Sequence, residues 1–131
     1  MKMPLSGARV LLVEDEVLIA MDIEAELQDR GATVWGPVTR LSDGMPIASD
    51  KSARFDAAIL DVNLRGEEVF PIAEALSCRG IPFLFHTGHG EMRELQARFN
   101  GAPVCNKPIQ TEQLVDEVER LLGQRNSDET G

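Results

Sequence analysis

The sequence predicts an α/β fold in which a parallel sheet carries helices on both faces. Short apolar runs alternate five times with segments of helical spacing, the pattern that produces parallel strands joined by right-handed crossovers. Two of the runs, Val10 to Val13 and Ala57 to Leu60, are apolar on both faces, as strands covered by helices on each side must be. The residues that follow the runs are carboxylates and a lysine, placed where an open α/β sheet gathers its ligands.

Taken in order, residues 8 to 13 form the first strand and lead into Glu14-Asp15-Glu16. Ile19, Ala20, Ile23 and Leu27 then recur at helical spacing, and Gly31 stops that helix. A short second strand, Ala32 to Trp35, gives way to Gly36-Pro37. Between Thr39 and Lys51 the helical signal is weak, and Gly44 and Pro46 predict a short or broken helix. The third strand, about Asp56 to Leu60, delivers Asp61. After Gly66, the residues Val69, Ile72, Ala73 and Leu76 share a face, with Pro71 in the first turn and Gly80 as the stop. The fourth strand is Ile81 to Phe85, with His86-Thr87-Gly88-His89 leaving it, and Met92, Leu95 and Phe99 mark a weak helix from about Glu91. Ala102 to Cys105 is the fifth strand, ending at Asn106-Lys107-Pro108. In the last helix Leu114, Val115, Val118, Leu121 and Leu122 align behind Thr111 as N-cap. Residues 1–7 read as an N-terminal extension, 8–122 as one domain, and 123–131 as a frayed, flexible C-terminal tail.

With 131 residues, 43% hydrophobic and 27% charged, the composition is that of one soluble globular domain. A net charge of -9 argues against direct nucleic-acid binding, which needs concentrated Lys and Arg. The apolar runs are far shorter than the roughly 20 residues of a membrane span, and residues 1–7 lack the apolar core of a secretion signal. A cytoplasmic protein is expected. Cys78 and Cys105 lack metal-ligand spacing and read as reduced, partly buried thiols.

Parallel strands place their C-terminal ends on one edge, so Glu14, Asp15, Asp61, Thr87 and Lys107 are expected in one pocket. Two carboxylates about 5 Å apart repel by roughly 3 kcal/mol at an effective dielectric near 20, and a divalent cation removes that cost. Because the donors are all oxygens, Mg²⁺ is expected rather than zinc, held by Asp15, Asp61 and the backbone carbonyl of Asn63, with Glu14 acting through water. Asp61 is then a nucleophile toward phosphorus, forming an aspartyl phosphate. The metal, the Lys107 ammonium and the Thr87 hydroxyl would fix the phosphoryl oxygens.

Val13-Glu14-Asp15, Leu60-Asp61-Val62-Asn63, Phe85-His86-Thr87-Gly88 and Asn106-Lys107-Pro108 stand in the order and at the spacing that make residues 8–122 resemble the CheY-like receiver domain of two-component response regulators. The resemblance implies a three-layer, flavodoxin-like (βα)5 doubly wound sheet with strand order 2-1-3-4-5. It implies phosphorylation of Asp61 by a sensor histidine kinase or histidine phosphotransfer protein, a cis peptide at Lys107-Pro108, and a helix 4–strand 5–helix 5 face that serves an unknown downstream protein or a homodimer. The stretch Pro82 to His89 resembles the Phe-Ala-Thr-Gly subgroup of mostly single-domain receivers, with His86 in place of the Ala. A stand-alone switch or phosphate sink follows, acting without membrane or direct nucleic-acid contact and not as an enzyme on outside substrates.

Two residues depart from the family pattern. Val104 stands where many receivers have an aromatic switch residue, and Glu14 replaces the commoner Asp. His86 and His89 are expected to flank Thr87 and shape access, with His89 tuning hydrolysis and Gly88 leaving room for the donor. The rivals are a small Mg²⁺-dependent phosphatase, a flavin carrier and a non-phosphorylated interaction domain. The first usually needs an acid two residues after its nucleophile, where this chain has Asn63; the second needs a Ser/Thr/Gly-rich loop where this chain has acids.

Overall fold

The structure, a computed structural model, describes residues 3–88, 92–99 and 101–130. Its elements are β1 (Arg9–Val13), α1 (Val17–Asp29), β2 (Thr33–Val38), α2 (Leu41–Ser49), β3 (Ala57–Asp61), β4 (Asn63–Leu64), β5 (Glu67–Glu68), α3 (Phe70–Cys78), β6 (Phe83–Thr87), α4 (Met92–Arg98), β7 (Val104–Asn106) and α5 (Thr111–Thr130). Five strands make one parallel sheet in the order β2-β1-β3-β6-β7. With the two-residue strands β4 and β5 set aside, this is the order 2-1-3-4-5.

Strand parity divides the interior. Leu11, Val13, Ala58, Leu60 and Phe85 face one core with Ile72, Ala73 and Leu76 of α3 and Leu95 of α4. Val10, Leu12, Ile59 and Leu84 face the other, with Ala20, Ile23 and Leu27 of α1 and Leu114, Val115 and Val118 of α5. Burying one such Leu or Val side chain contributes roughly 1.5–3 kcal/mol. Arg30, at the end of α1, ties that helix to α5 through Asp116 Oδ1 at 2.7 Å and also binds Glu26 Oε2 at 2.8 Å.

Several boundaries differ from the sequence prediction, each for a local reason. Leu5 is 2% exposed and its N–H donates to Arg30 O at 2.8 Å, so this part of the N-terminal extension is packed into the domain. The second strand does not end at Trp35 but runs to Val38 as a sheet edge, where a proline N–H is not needed. Its register against β1 shifts between Leu11 and Val13, where Gly36 has φ 127 and a Cβ would strike Leu12 O. The segment with Gly44 and Pro46 forms a short, unbroken helix, and Gly44 lets it approach Ile72 of α3. Helical backbone continues through Gly123 to Thr130 where a frayed tail is predicted; one helical Gly costs only about 1 kcal/mol. The last helix begins at Thr111, with Leu114 N–H donating to Gln110 O at 3.0 Å, so the cap lies one residue earlier than predicted. Cys78 is exposed rather than partly buried, Cys105 is buried, and both are free. The hairpin β4–β5 was not foreseen; Arg65 (φ 53) and Gly66 (φ 89) form its two-residue turn, both left-handed.

Candidate functional site

Asp61 is the last residue of β3 and Thr87 the last of β6, while Glu14 follows β1 and Lys107 follows β7. All therefore stand at one edge of the sheet, and the ladder brings them into line, with Asp61 beside His86 and Thr87 beside Asn106. The Lys107 N–H donates to Thr87 O at 2.7 Å, extending the β6–β7 pairing by one step and fixing where the lysine side chain begins. The Lys107-Pro108 peptide is cis, as the resemblance implies.

The lysine ammonium enters a nest of carboxylates. Nζ lies 3.3 Å from Asp61 Oδ2, 3.4 Å from Glu14 Oε1 and 3.5 Å from Glu16 Oε1. Glu14 is 1% exposed and Asp61 5%, so both carboxylates are largely out of water. Loop backbone orients the acids: Glu16 N–H donates to Glu14 Oε2 at 3.2 Å, Asn63 N–H to Asp61 Oδ1 at 3.3 Å, and Arg65 N–H to Asp15 Oδ2 at 3.2 Å. The exposed Asn63 side chain accepts the Gly66 N–H at 2.8 Å and braces the hairpin.

Burial, followed by the neighbouring Glu14, pushes the Asp61 carboxyl up to about 8 against the pull of Lys107. Burial tends to lower Lys107, but the charges of Asp61 and Glu14 outweigh it and hold the ammonium above its ordinary value. For His86, burial and then Lys107 bring the imidazole down to about 4, so it is neutral near pH 7.

Glu14, Asp15 and Glu16 each turn a carboxylate oxygen to within 4.8 Å of the others. Glu14 Oε1 is buried and has no hydrogen bond. Three carboxylates facing one ammonium, with Asp15 alongside and a buried Glu14 oxygen without a hydrogen bond, fit a hard divalent cation with oxygen ligands.

The structure thus brings Glu14, Asp61 and Lys107 together, with Asp15 alongside and Thr87 3% exposed at the same edge. His86 is not at the entrance: it is 4% exposed, with Nδ1 3.5 Å from Glu14 Oε1. Gly88 is exposed, and a Cβ there would make ordinary contact with Lys107 side-chain carbons at 3.9 and 4.0 Å. His89 lies outside the described residues. Val104 is half-buried beside Phe85, whose ring is 5.4 Å from those of Phe83 and Phe99. Sequence reasoning missed Glu16, whose signal was its place two residues after Glu14. It also missed the burial of His86, which strand parity with Leu84 could have revealed.

No protein-family model matches the chain. It is 28% identical over 122 residues to the uncharacterized transcriptional regulatory protein YbdJ of Bacillus subtilis (strain 168), covering 90% of this chain and 52% of that protein, so the chain spans about half of that relative's length. The receiver domain of the sensor histidine kinase PA1611 from Pseudomonas aeruginosa PAO1, solved with magnesium coordinated in its active-site cleft, superposes with a TM-score of 0.74 at 24% identity over 90% of this chain and 99% of that one. The BeF3-activated conformation of SdrG from Pseudomonas melonis Fr1, solved in solution, is 39% identical, with a TM-score of 0.69 over 88% of this chain and 98% of that one. The sheet order, the acids and lysine at its edge, and a 39% likeness that spans nearly all of SdrG lead to one conclusion: the chain belongs to the CheY-like receiver domains of response regulators.

Proposed function

We propose that this receiver is a phosphorylation switch in which Asp61 accepts a phosphoryl group from a phosphohistidine, on a sensor histidine kinase or a histidine phosphotransfer protein, in a Mg²⁺-dependent reaction. The observation that carries this reading is the Lys107 ammonium 3.3 Å from Asp61 Oδ2 inside a nest of acids. An Asp61 oxygen forms the new O–P bond as the donor's N–P bond breaks, and the imidazole leaves with that electron pair. Later attack by water breaks the Asp61 O–P bond and returns inorganic phosphate. Bound Mg²⁺ would offset the negative charge of carboxylates and phosphoryl oxygens. Glu14, Asp15, Asp61 and the Asn63 carbonyl would hold it, a reading supported by the oxygen-only donor set and by the unsatisfied Glu14 Oε1.

Lys107 would bind one phosphoryl oxygen and Thr87 would donate its hydroxyl to another. The Lys107 N–H bond to Thr87 O couples the ends of β6 and β7, so movement of either draws on both. To carry a switch from about 1:99 to 99:1, phosphorylation must favour the active form by roughly 5.5 kcal/mol. With Val104 in β7, no aromatic ring rotates at that position. Output would pass through the face made by α4, β7 and α5, toward a downstream protein or a second copy.

The reading extends to a stand-alone cytoplasmic domain centred on residues 8–122, signalling through protein contacts or serving as a phosphate sink. Among the described residues no helix is long and apolar enough to cross a membrane, and the net charge of -9 disfavours direct contact with nucleic acid. Incubation with Mg²⁺ and acetyl phosphate, followed by mass spectrometry, should place one phosphoryl group on Asp61. Absence of that mass in the presence of Mg²⁺, or turnover of phosphate esters instead, would overturn the proposal. The phosphatase alternative lacks its acid, because Asn63 stands two residues after Asp61 where that chemistry usually places one.

A further inference from the structure

Of the two Glu14 carboxylate oxygens, Oε2 accepts the Glu16 N–H at 3.2 Å, while Oε1 is buried without a hydrogen bond. Facing Oε1 at 3.5 Å is His86 Nδ1, also buried and also without a hydrogen bond. A buried polar atom left without a hydrogen bond is costly. Here two such atoms meet a few tenths of an ångström beyond hydrogen-bond distance. Lys107 Nζ also lies near Oε1, at 3.4 Å, but it is shared with Asp61 and Glu16. On the proposed function, Lys107 is drawn to the phosphoryl group. His86 has no such second task, since it is set in β6 between Asp61 on one side and Cys105 on the other.

We propose that His86 is a positioning residue for the cation site, its Nδ1–H closing onto Glu14 Oε1 and holding that carboxylate in place when Lys107 is called to the phosphoryl group. His86 touches neither cation nor substrate and acts through Glu14. Partners of this kind typically account for about 10–100-fold in metal affinity. The inference rests on the magnesium reading above and deepens it by assigning a buried residue to the site.

Two measurements test it. In metal-free protein, ¹⁵N NMR of the imidazole should find the proton on Nδ1; a proton on Nε2 alone overturns the inference. In Mg²⁺ titrations followed by calorimetry, His86→Leu, which keeps the volume and removes the donor, should bind about tenfold more weakly than wild type. His86→Asn, which keeps an N–H near the Nδ1 position, should recover most of that loss. Equal affinity in the Leu variant and wild type overturns the inference alone, as does an Asn variant no better than Leu. Failure of the wild type to bind Mg²⁺ overturns the magnesium reading and the inference with it.

Discussion

Two neighbouring rows of the sheet are buried alike and do opposite things. Val13, Leu60 and Phe85 form one register row and are each 0% exposed. One residue further along the chain from each stand Glu14, Asp61 and His86, at 1%, 5% and 4% exposed. The first row is apolar and faces α3 and α4, so its burial stabilises the fold. The second turns by strand parity toward the α1 and α5 side and places two carboxylates and an imidazole in the same low-dielectric setting. Burial of charge is costly unless it is matched, and the match here is Lys107, which a cation would join on the proposed function. The pair of rows teaches that burial alone does not mark a core residue: stability is gained in one row and spent in the next.

The largest expected effect lies in the polar row. Asp61→Asn should abolish phosphoryl uptake from acetyl phosphate, read by mass, while leaving the fold intact by circular dichroism. In the apolar row the reverse is expected, with Phe85→Ala lowering stability by about 3–5 kcal/mol in urea denaturation. Glu14→Gln sharpens the contrast. It removes a buried charge, so the thermal midpoint without metal should not fall, while Mg²⁺ affinity should drop about tenfold.

The rows should also separate by pH. Asp61 is raised from 3.8 to about 8 in the fold, so above 3.8 the folded state holds a proton that the unfolded state has lost. Its contribution to stability is therefore lost as pH rises through about 8. His86 runs the other way, lowered from 6.5 to about 4, with its contribution lost as pH falls from 6.5 toward 4. Between pH 6.5 and 8 only Asp61 varies, so metal-free stability should decline across that window. The Mg²⁺-induced rise in thermal midpoint should be larger at its upper end. A flat profile would mean that Asp61 is not held protonated. The smallest effect is far from both rows: Arg30→Met, which cuts the ties to Glu26, Asp116 and Glu119, should cost about 1 kcal/mol and leave phosphoryl uptake unchanged.

The alternating runs determined the α/β class, because a strand apolar on both faces has few other places to go. The acids after the first and third runs and the lysine after the fifth determined which edge carries the chemistry, since parallel strands share a C-terminal edge. Tertiary structure alone decided what depends on distance and parity. It set Lys107 among three carboxylates, drew Asp15 to the Arg65 backbone through an unforeseen hairpin, and carried the edge strand through Gly36-Pro37. It also set His86 Nδ1 3.5 Å from Glu14 Oε1, a meeting across strands that parity within one strand does not reveal. Which side chains meet at the sheet edge follows from the register between strands, and register is a property of the assembled sheet.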